Sequence, residues 1–147
     1  MSANHPEGHV TMTVPNGFVH LRLIRLVVAS LASDLGFGYD EVEDLRIVVD
    51  EIAQLVMENS LPSSPVVVDV VATGPELRVV VVANALDLEK APALDVLAAE
   101  IVRSLVPVHE VVYSNGKLEA SFESYAPAMR RHNQSGSSNE SELPRNG

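Results

Sequence analysis

The 147-residue chain contains no cysteine and no tryptophan, and only 4% of it is aromatic. Without cysteine there are no disulfides, no thiolate catalysis and no cysteine-ligated zinc or iron–sulfur clusters. Lysine is nearly absent: Lys90 and Lys117 are the only two, and the formal net charge is −10. Nucleic acid is held mainly by neutralising its phosphates with Lys and Arg, so no nucleic-acid partner is expected. An acidic surface suits instead a partner with a basic face. No apolar run approaches the roughly 18–20 uncharged residues of a membrane-crossing helix, so no membrane partner is expected either. The opening "MSANHPEGHV" has neither the basic region nor the apolar stretch of a signal peptide. A soluble cytoplasmic protein is the expectation.

What is present is a chain 46% hydrophobic, enough for one domain with its own core. In "GFVHLRLIRLVVASLASDLG", Phe18, Leu21, Ile24, Val27, Val28 and Leu31 recur at helical spacing. Asn16 reads as its N-cap and Gly36 as its stop. A second helix follows "GFGYD", with Asp40 and Glu43 spaced as a capping box and acids in its first turn suiting the helix dipole. Val42, Leu45, Val49, Ile52, Ala53 and Val56 form its stripe. Ile47, Val48 and Leu55 widen it, which predicts packing on more than one side.

"LPSSP" ends that helix. "VVVDVVAT" and "LRVVVVAN" then read as strands of a central hairpin turning at Gly74-Pro75. "ALDVLAAEIVRSLV" is a third amphipathic helix, on Leu94, Leu97, Ala98, Ile101 and Leu105, closed by Pro107. Asn115-Gly116 marks a last hairpin, after which Leu118, Ala120 and Phe122 alternate with Lys117, Glu119, Ser121 and Glu123. The expected organisation is a flexible leader (1–15), one domain (16–126) and a disordered polar tail (127–147). Helices covering one face of a mainly antiparallel sheet make this an α+β protein, a two-layer α/β sandwich.

"LRLIRLVVASLASDLGFGYDEVEDLRIVVDEIAQLV" and "LRVVVVANALDLEKAPALDVLAAEIVRSLVPVHEVVYSNGKLEASF" together resemble the bacterial anti-sigma regulatory factors. These are small serine-protein kinases of the histidine-kinase-like ATPase superfamily, the Bergerat fold. The resemblance runs from about Gly17 to Tyr125, in lengths and apolar positions more than in intact motifs. It implies a homodimer whose partner is a sigma factor or an anti-sigma factor antagonist.

It also implies a nucleotide site in three places, and this chain departs from the pattern at each. In the family's E-x-x-x-N helix, Glu acts as base and the Asn oxygen ligates Mg²⁺. Glu51 matches the Glu, but Leu55 stands at the Asn position, and Mg²⁺ takes oxygen ligands in near-ideal octahedral geometry. Asn59 lies about 12 Å along the axis from Glu51, too far to substitute. The D-x-G-x-G loop aligns with Ala83, Ala85 and Asp87, or, one residue slipped, with Asn84 at the Asp position; neither register restores both glycines. The glycine-rich lid is replaced by "EKAPALDVL", with no glycine between Val81 and Asn115. Ala91, Pro92 and Ala93 do not suit positive-φ turns, and Asp95 would repel a triphosphate.

The expected protein is therefore a regulator working by partner switching in transcription control, with ATP binding and kinase activity impaired or lost. No resident cofactor or metal is then expected. Two alternatives stay open: an active Mg-ATP-dependent serine-protein kinase with Glu51 as base, and a binding module for another small ligand in the vacated pocket. Asp50 is expected to face solvent, and Glu51 to sit at a helix edge, in water or against an arginine. His5 and His9 have a spacing that suits metal binding but sit in the leader; His20, His109, Arg130, Arg131 and the tail serines carry no assigned role.

Overall fold

The computed structural model describes residues 7–127. Strand β1 (Gly8–Val14) leads through a short 3₁₀ turn (Phe18–His20) into helices α1 (Leu21–Asp34) and α2 (Tyr39–Glu58). Strands β2 (Val66–Thr73) and β3 (Glu76–Asn84), helix α3 (Val96–Leu105), and strands β4 (Val108–Ser114) and β5 (Lys117–Tyr125) follow. The strands form one antiparallel sheet in the order β1-β2-β3-β5-β4. The expected two-layer sandwich is thus found, with β3 at its centre.

Period-two alternation determines which face is covered. Val66, Val68, Val70 and Ala72 of β2, Leu77, Val79, Val81 and Ala83 of β3, and Leu118, Ala120 and Phe122 of β5 are all buried. They meet Leu21, Ile24 and Val28 of α1 and Leu45, Val48, Val49, Ile52 and Val56 of α2 in a single core. The intervening strand residues, among them Thr11, Asp69, Arg78 and Glu110, stay half-buried or exposed on the other face. Ser121 lies in that outer set yet is 7% exposed, enclosed between β3 and β4 rather than wet.

Several local expectations are corrected. Residues 8–14 are not a leader but the edge strand β1, whose Val10, Met12 and Val14 face inward and which pairs with β2 along its whole length. Asn16 caps no helix; its side-chain amide donates to the carbonyls of Met57 and Leu61, each at 3.2 Å, and ties β1's exit to the end of α2. α2 begins one residue before Asp40: Gly38 is its N-cap, and the Gly38 amide donates to Glu41 Oε1 at 3.2 Å. Phe18, Ile47 and Leu97, each assigned to an apolar stripe, are exposed.

The two punctuating turns are as expected. Gly36 takes φ +92° just beyond α1, and Asn115 and Gly116 take φ +54° and +73° between β4 and β5, the signs a type I′ hairpin requires. Pro127 is buried; His5 and the tail from Met129 onward lie outside the described residues. Among the described residues no helix is long and apolar enough to cross a membrane.

Candidate functional site

A cleft of about 290 Å³ opens between the C-terminal half of α2 and the segment that leads into α3. Glu51, Gln54, Leu55 and Glu58 form one wall, because residues three and four apart share a helix face. Asn59, the α2 C-cap, closes its end. Pro92, Ala93, Leu94, Asp95 and Ala98 form the other wall.

Hydrogen bonds fix the chain beside Asn59. Asn59 Nδ2 donates to Leu55 O at 2.8 Å, and the Leu86 amide donates to Asn59 O at 2.9 Å. The Leu61 amide donates to Asn84 O at 2.9 Å, and the Ala85 amide to Gly116 O at 2.8 Å. Ser64 Oγ accepts from the Asn84 amide at 3.0 Å. The chain leaving β3 is therefore fixed between α2's end and the final hairpin.

Electrostatically the cleft is of one sign. Glu51, Glu58 and Asp95 are its charged lining residues, and no Lys or Arg faces them there. The Glu51 carboxyl titrates above its usual range, first through lost hydration and then through the negative charges of Asp95, Asp50 and Glu58. Asp95 is also the N-cap of α3: its Oδ1 accepts from the Ala98 amide at 2.8 Å. Asp50 points the other way, into an ion pair with Arg25 at 2.6 Å. The arginine partner thus belongs to Asp50, expected in solvent, and not to Glu51.

Of the residues singled out in the sequence, Glu51, Leu55, Asn59, Pro92, Ala93 and Asp95 line the cleft and Ala91 does not; Leu55 is 7% exposed with no oxygen to offer. Ala83, Asn84, Ala85 and Asp87 are not among the lining residues. Ala83 is buried in the core, Asn84 Oδ1 accepts from Lys117 Nζ at 3.1 Å, and Asp87 is exposed. Gln54 and Glu58 were missed, although Glu58 stands seven residues from Glu51 on the same stripe. Among the described residues no group of three or more His, Asp or Glu side chains is placed to hold a metal ion.

Layer order, sheet and helix placement define the fold of the histidine-kinase-like ATPases, as the sequence resemblance implied. Comparison with known proteins places the similarity among the RsbW proteins. The chain is 35% identical to the serine-protein kinase RsbW of Halalkalibacterium halodurans over 60 residues, 41% of this chain and 36% of that protein. It is 29% identical to the same-named kinase of Bacillus thuringiensis over 51 residues, 35% of this chain and 32% of that one. The matched segments span only about a third of the length of those relatives. In three dimensions the chain matches the crystal structure of the RsbU and RsbW domains of Rv1364c from Mycobacterium tuberculosis. The TM-score is 0.61 at 13% identity, over 82% of this chain and 33% of that one. No family model matches the chain.

Proposed function

We propose that the protein is a regulator of the anti-sigma type that acts by binding other proteins, not by phosphorylating them. Its partners on this reading are a sigma factor or an anti-sigma factor antagonist, exchanged in control of transcription. The observation that carries the reading is the composition of the cleft. Glu51, Glu58 and Asp95 line it, and no Lys or Arg among the lining residues offsets their charge against a polyphosphate.

Three further features support it. Leu55 stands at the position where the resemblance puts the Mg²⁺-ligating Asn and brings no oxygen, and the amide nitrogen of Asn59 is held by Leu55 O. "PALD", Pro92 to Asp95, forms the facing wall without the glycines that let backbone amides turn toward phosphate. The segment after β3 is fixed by backbone hydrogen bonds to the end of α2 and to the final hairpin. On this reading the residues present do not fit Mg-ATP.

The kinase reading has one observation on its side: Glu51 faces the cleft with a raised pKa, as a general base would. Calorimetric titration with Mg-ATP separates the two. The proposed function predicts no heat and no thermal shift at millimolar nucleotide; saturable micromolar binding with phosphate transfer to an antagonist serine would replace it with the kinase reading.

A further inference from the structure

We propose that the open edge of β4 accepts an extended partner segment in which basic and aliphatic residues alternate, added antiparallel as a further strand of the sheet. The inference rests on the binding-protein reading above and deepens it with a surface and a partner chemistry.

β4 is the last strand of the sheet, next to β5 and to no other. Ser114 and Lys117 flank the two-residue Asn115-Gly116 turn, which makes them a hydrogen-bonded pair. By alternation Val112, Glu110 and Val108 also bond to β5, and the backbone groups of His109, Val111 and Tyr113 point away from it. Among the described residues no backbone hydrogen bond joins this outer edge to another segment. Proteins shield such edges with lysine, proline or a bulge. β4 has none of these: "VHEVVYS" contains neither residue, and its register with β5 runs unbroken from Val108 to Ser114. The seven residues offer a template of about 20 Å.

The side chains on the two faces specify what would fit. On the helix-covered face Val111 and Tyr113 pack against the core yet stay half-buried, so an added strand with aliphatic residues there would complete their cover. On the outer face Val108 is 46% exposed and Val112 38%, with Glu110 between them. Glu119 of β5 stands between Val112 and Val82. Glu110 and Glu119 are diagonal neighbours, about 7–8 Å apart, and neither has an ion pair or hydrogen bond among the described residues. Glu123, the other diagonal neighbour of Glu110, has Arg78 at 3.9 Å. Two unpaired carboxylates among exposed valines are the complement of lysine or arginine, whose aliphatic stems lie along valine while the charged ends reach the acids.

The opposite edge differs: the carboxylate behind β1, Asp69, is already held by Thr11 and His9. A second copy fits β4 poorly. Two β4 strands paired around Val111 would set Glu110 of one a diagonal step from Glu110 of the other, and each copy carries a net charge of −10.

The test uses the ¹⁵N-labelled full chain and a capped peptide of about nine residues in which valine and lysine alternate. Two controls keep its charge: one has the valines and lysines in separate blocks, the other is N-methylated on the valines, whose N–H groups would face β4. The alternating peptide is expected to bind saturably, to protect the amides of His109, Val111 and Tyr113 from exchange, and to exceed both controls about tenfold. Val111→Pro, which removes an outward N–H and leaves the bonds to β5, is expected to abolish binding. Glu110→Gln and Glu119→Gln, surface changes that leave the ladder intact, are each expected to weaken it about threefold; they decide the matter if circular dichroism shows Val111→Pro unfolded. No binding, equal binding of either control, protection elsewhere, or indifference to both glutamine changes overturns the proposal. So does a dimer in sedimentation that Glu110→Lys disperses, because a second copy would then occupy the edge. Nucleotide titration is scored separately: peptide failure in a chain that binds no ATP refutes the β4 edge alone, and ATP binding with intact peptide binding refutes only the emptied cleft.

Discussion

Arg25 Nη1 lies 2.6 Å from Asp50 Oδ1, across the contact between α1 and α2, with both side chains about one-third exposed. The pair divides the two adjacent acids of α2: Asp50 is neutralised toward α1, and Glu51, one residue on, turns to the cleft. Because exposure leaves the pair partly hydrated, Arg25→Ala is expected to cost about 1 kcal/mol. A double-mutant cycle with Asp50→Asn, read by urea denaturation, should return a coupling of similar size. A coupling near zero would mean that the pair orients the helices without stabilising them.

Glu51 is in the opposite situation. Its pKa is raised in the fold, chiefly by lost hydration, so the native state holds that proton to higher pH than the unfolded chain does. Stability therefore falls as pH rises from the ordinary carboxylate range through the raised value, and above it the full cost is present. Glu51→Gln removes the titration. The variant is expected to match the wild type near pH 4 and to melt higher at pH 7, the gap opening between. Thermal melts across that range decide it; a catalytic base would show the same titration but would also lose phosphate transfer.

Asn59 links the end of α2 to the chain leaving β3 through both its side chain and its carbonyl. Asn59→Ala deletes the side-chain bond to Leu55 O and leaves that carbonyl unpartnered by Asn59, at a cost of about 1 kcal/mol. Faster hydrogen exchange at the Leu86 amide should accompany it, because the cap holds the carbonyl which that amide uses. Unchanged exchange would show that the loop is held by the Leu61 and Ala85 bonds alone.

The elements legible in the sequence were those whose pattern repeats. The valine runs of β2 and β3 and the Asn115-Gly116 turn needed nothing beyond period two and positive φ. Helix ends were less legible, because a capping residue is chosen by competition. Asn16 has the right chemistry for an N-cap, but two carbonyls at the far end of α2 take its amide. Gly38, which has no side chain to signal a cap, fills the role for α2 because Glu41 reaches back to its amide.

Burial on helices was over-assigned for a related reason. Ile47 and Leu97 are apolar and lie near a stripe, yet each is exposed; hydrophobicity shows what a side chain tolerates, and only packing shows which neighbours reach it. At the cleft, Glu51 and Leu55 could be placed from helical spacing and resemblance. The wall opposite was legible from the resemblance alone, which put Pro92, Ala93 and Asp95 at the lid; no local period encodes it, because the course of the chain between β3 and α3 brings Pro92–Asp95 there.

β1 was read as part of a leader because its inward residues, Val10, Met12 and Val14, are few and its strand exists by pairing with β2. Its hold on β2 includes a three-residue cluster on the outer face. Thr11 Oγ1 donates to Asp69 Oδ1 at 2.6 Å, and His9 Nε2 lies 2.9 Å from the same oxygen. Those hydrogen bonds, Thr11's first and His9's second, hold the Asp69 carboxyl below its ordinary value. The sign is then opposite to that of Glu51: the stabilisation is complete above the ordinary carboxylate range and is lost as pH falls through the depressed value. Asp69→Asn is expected to lower the melting temperature near neutral pH, with the difference from wild type shrinking in acid. Thr11→Val should reproduce most of the loss, and His9→Ala less, in the order of their effect on the carboxyl. Faster amide exchange confined to β1 would locate the effect at the strand edge, whereas uniform acceleration through β2 and β3 would show that the cluster stabilises the whole sheet.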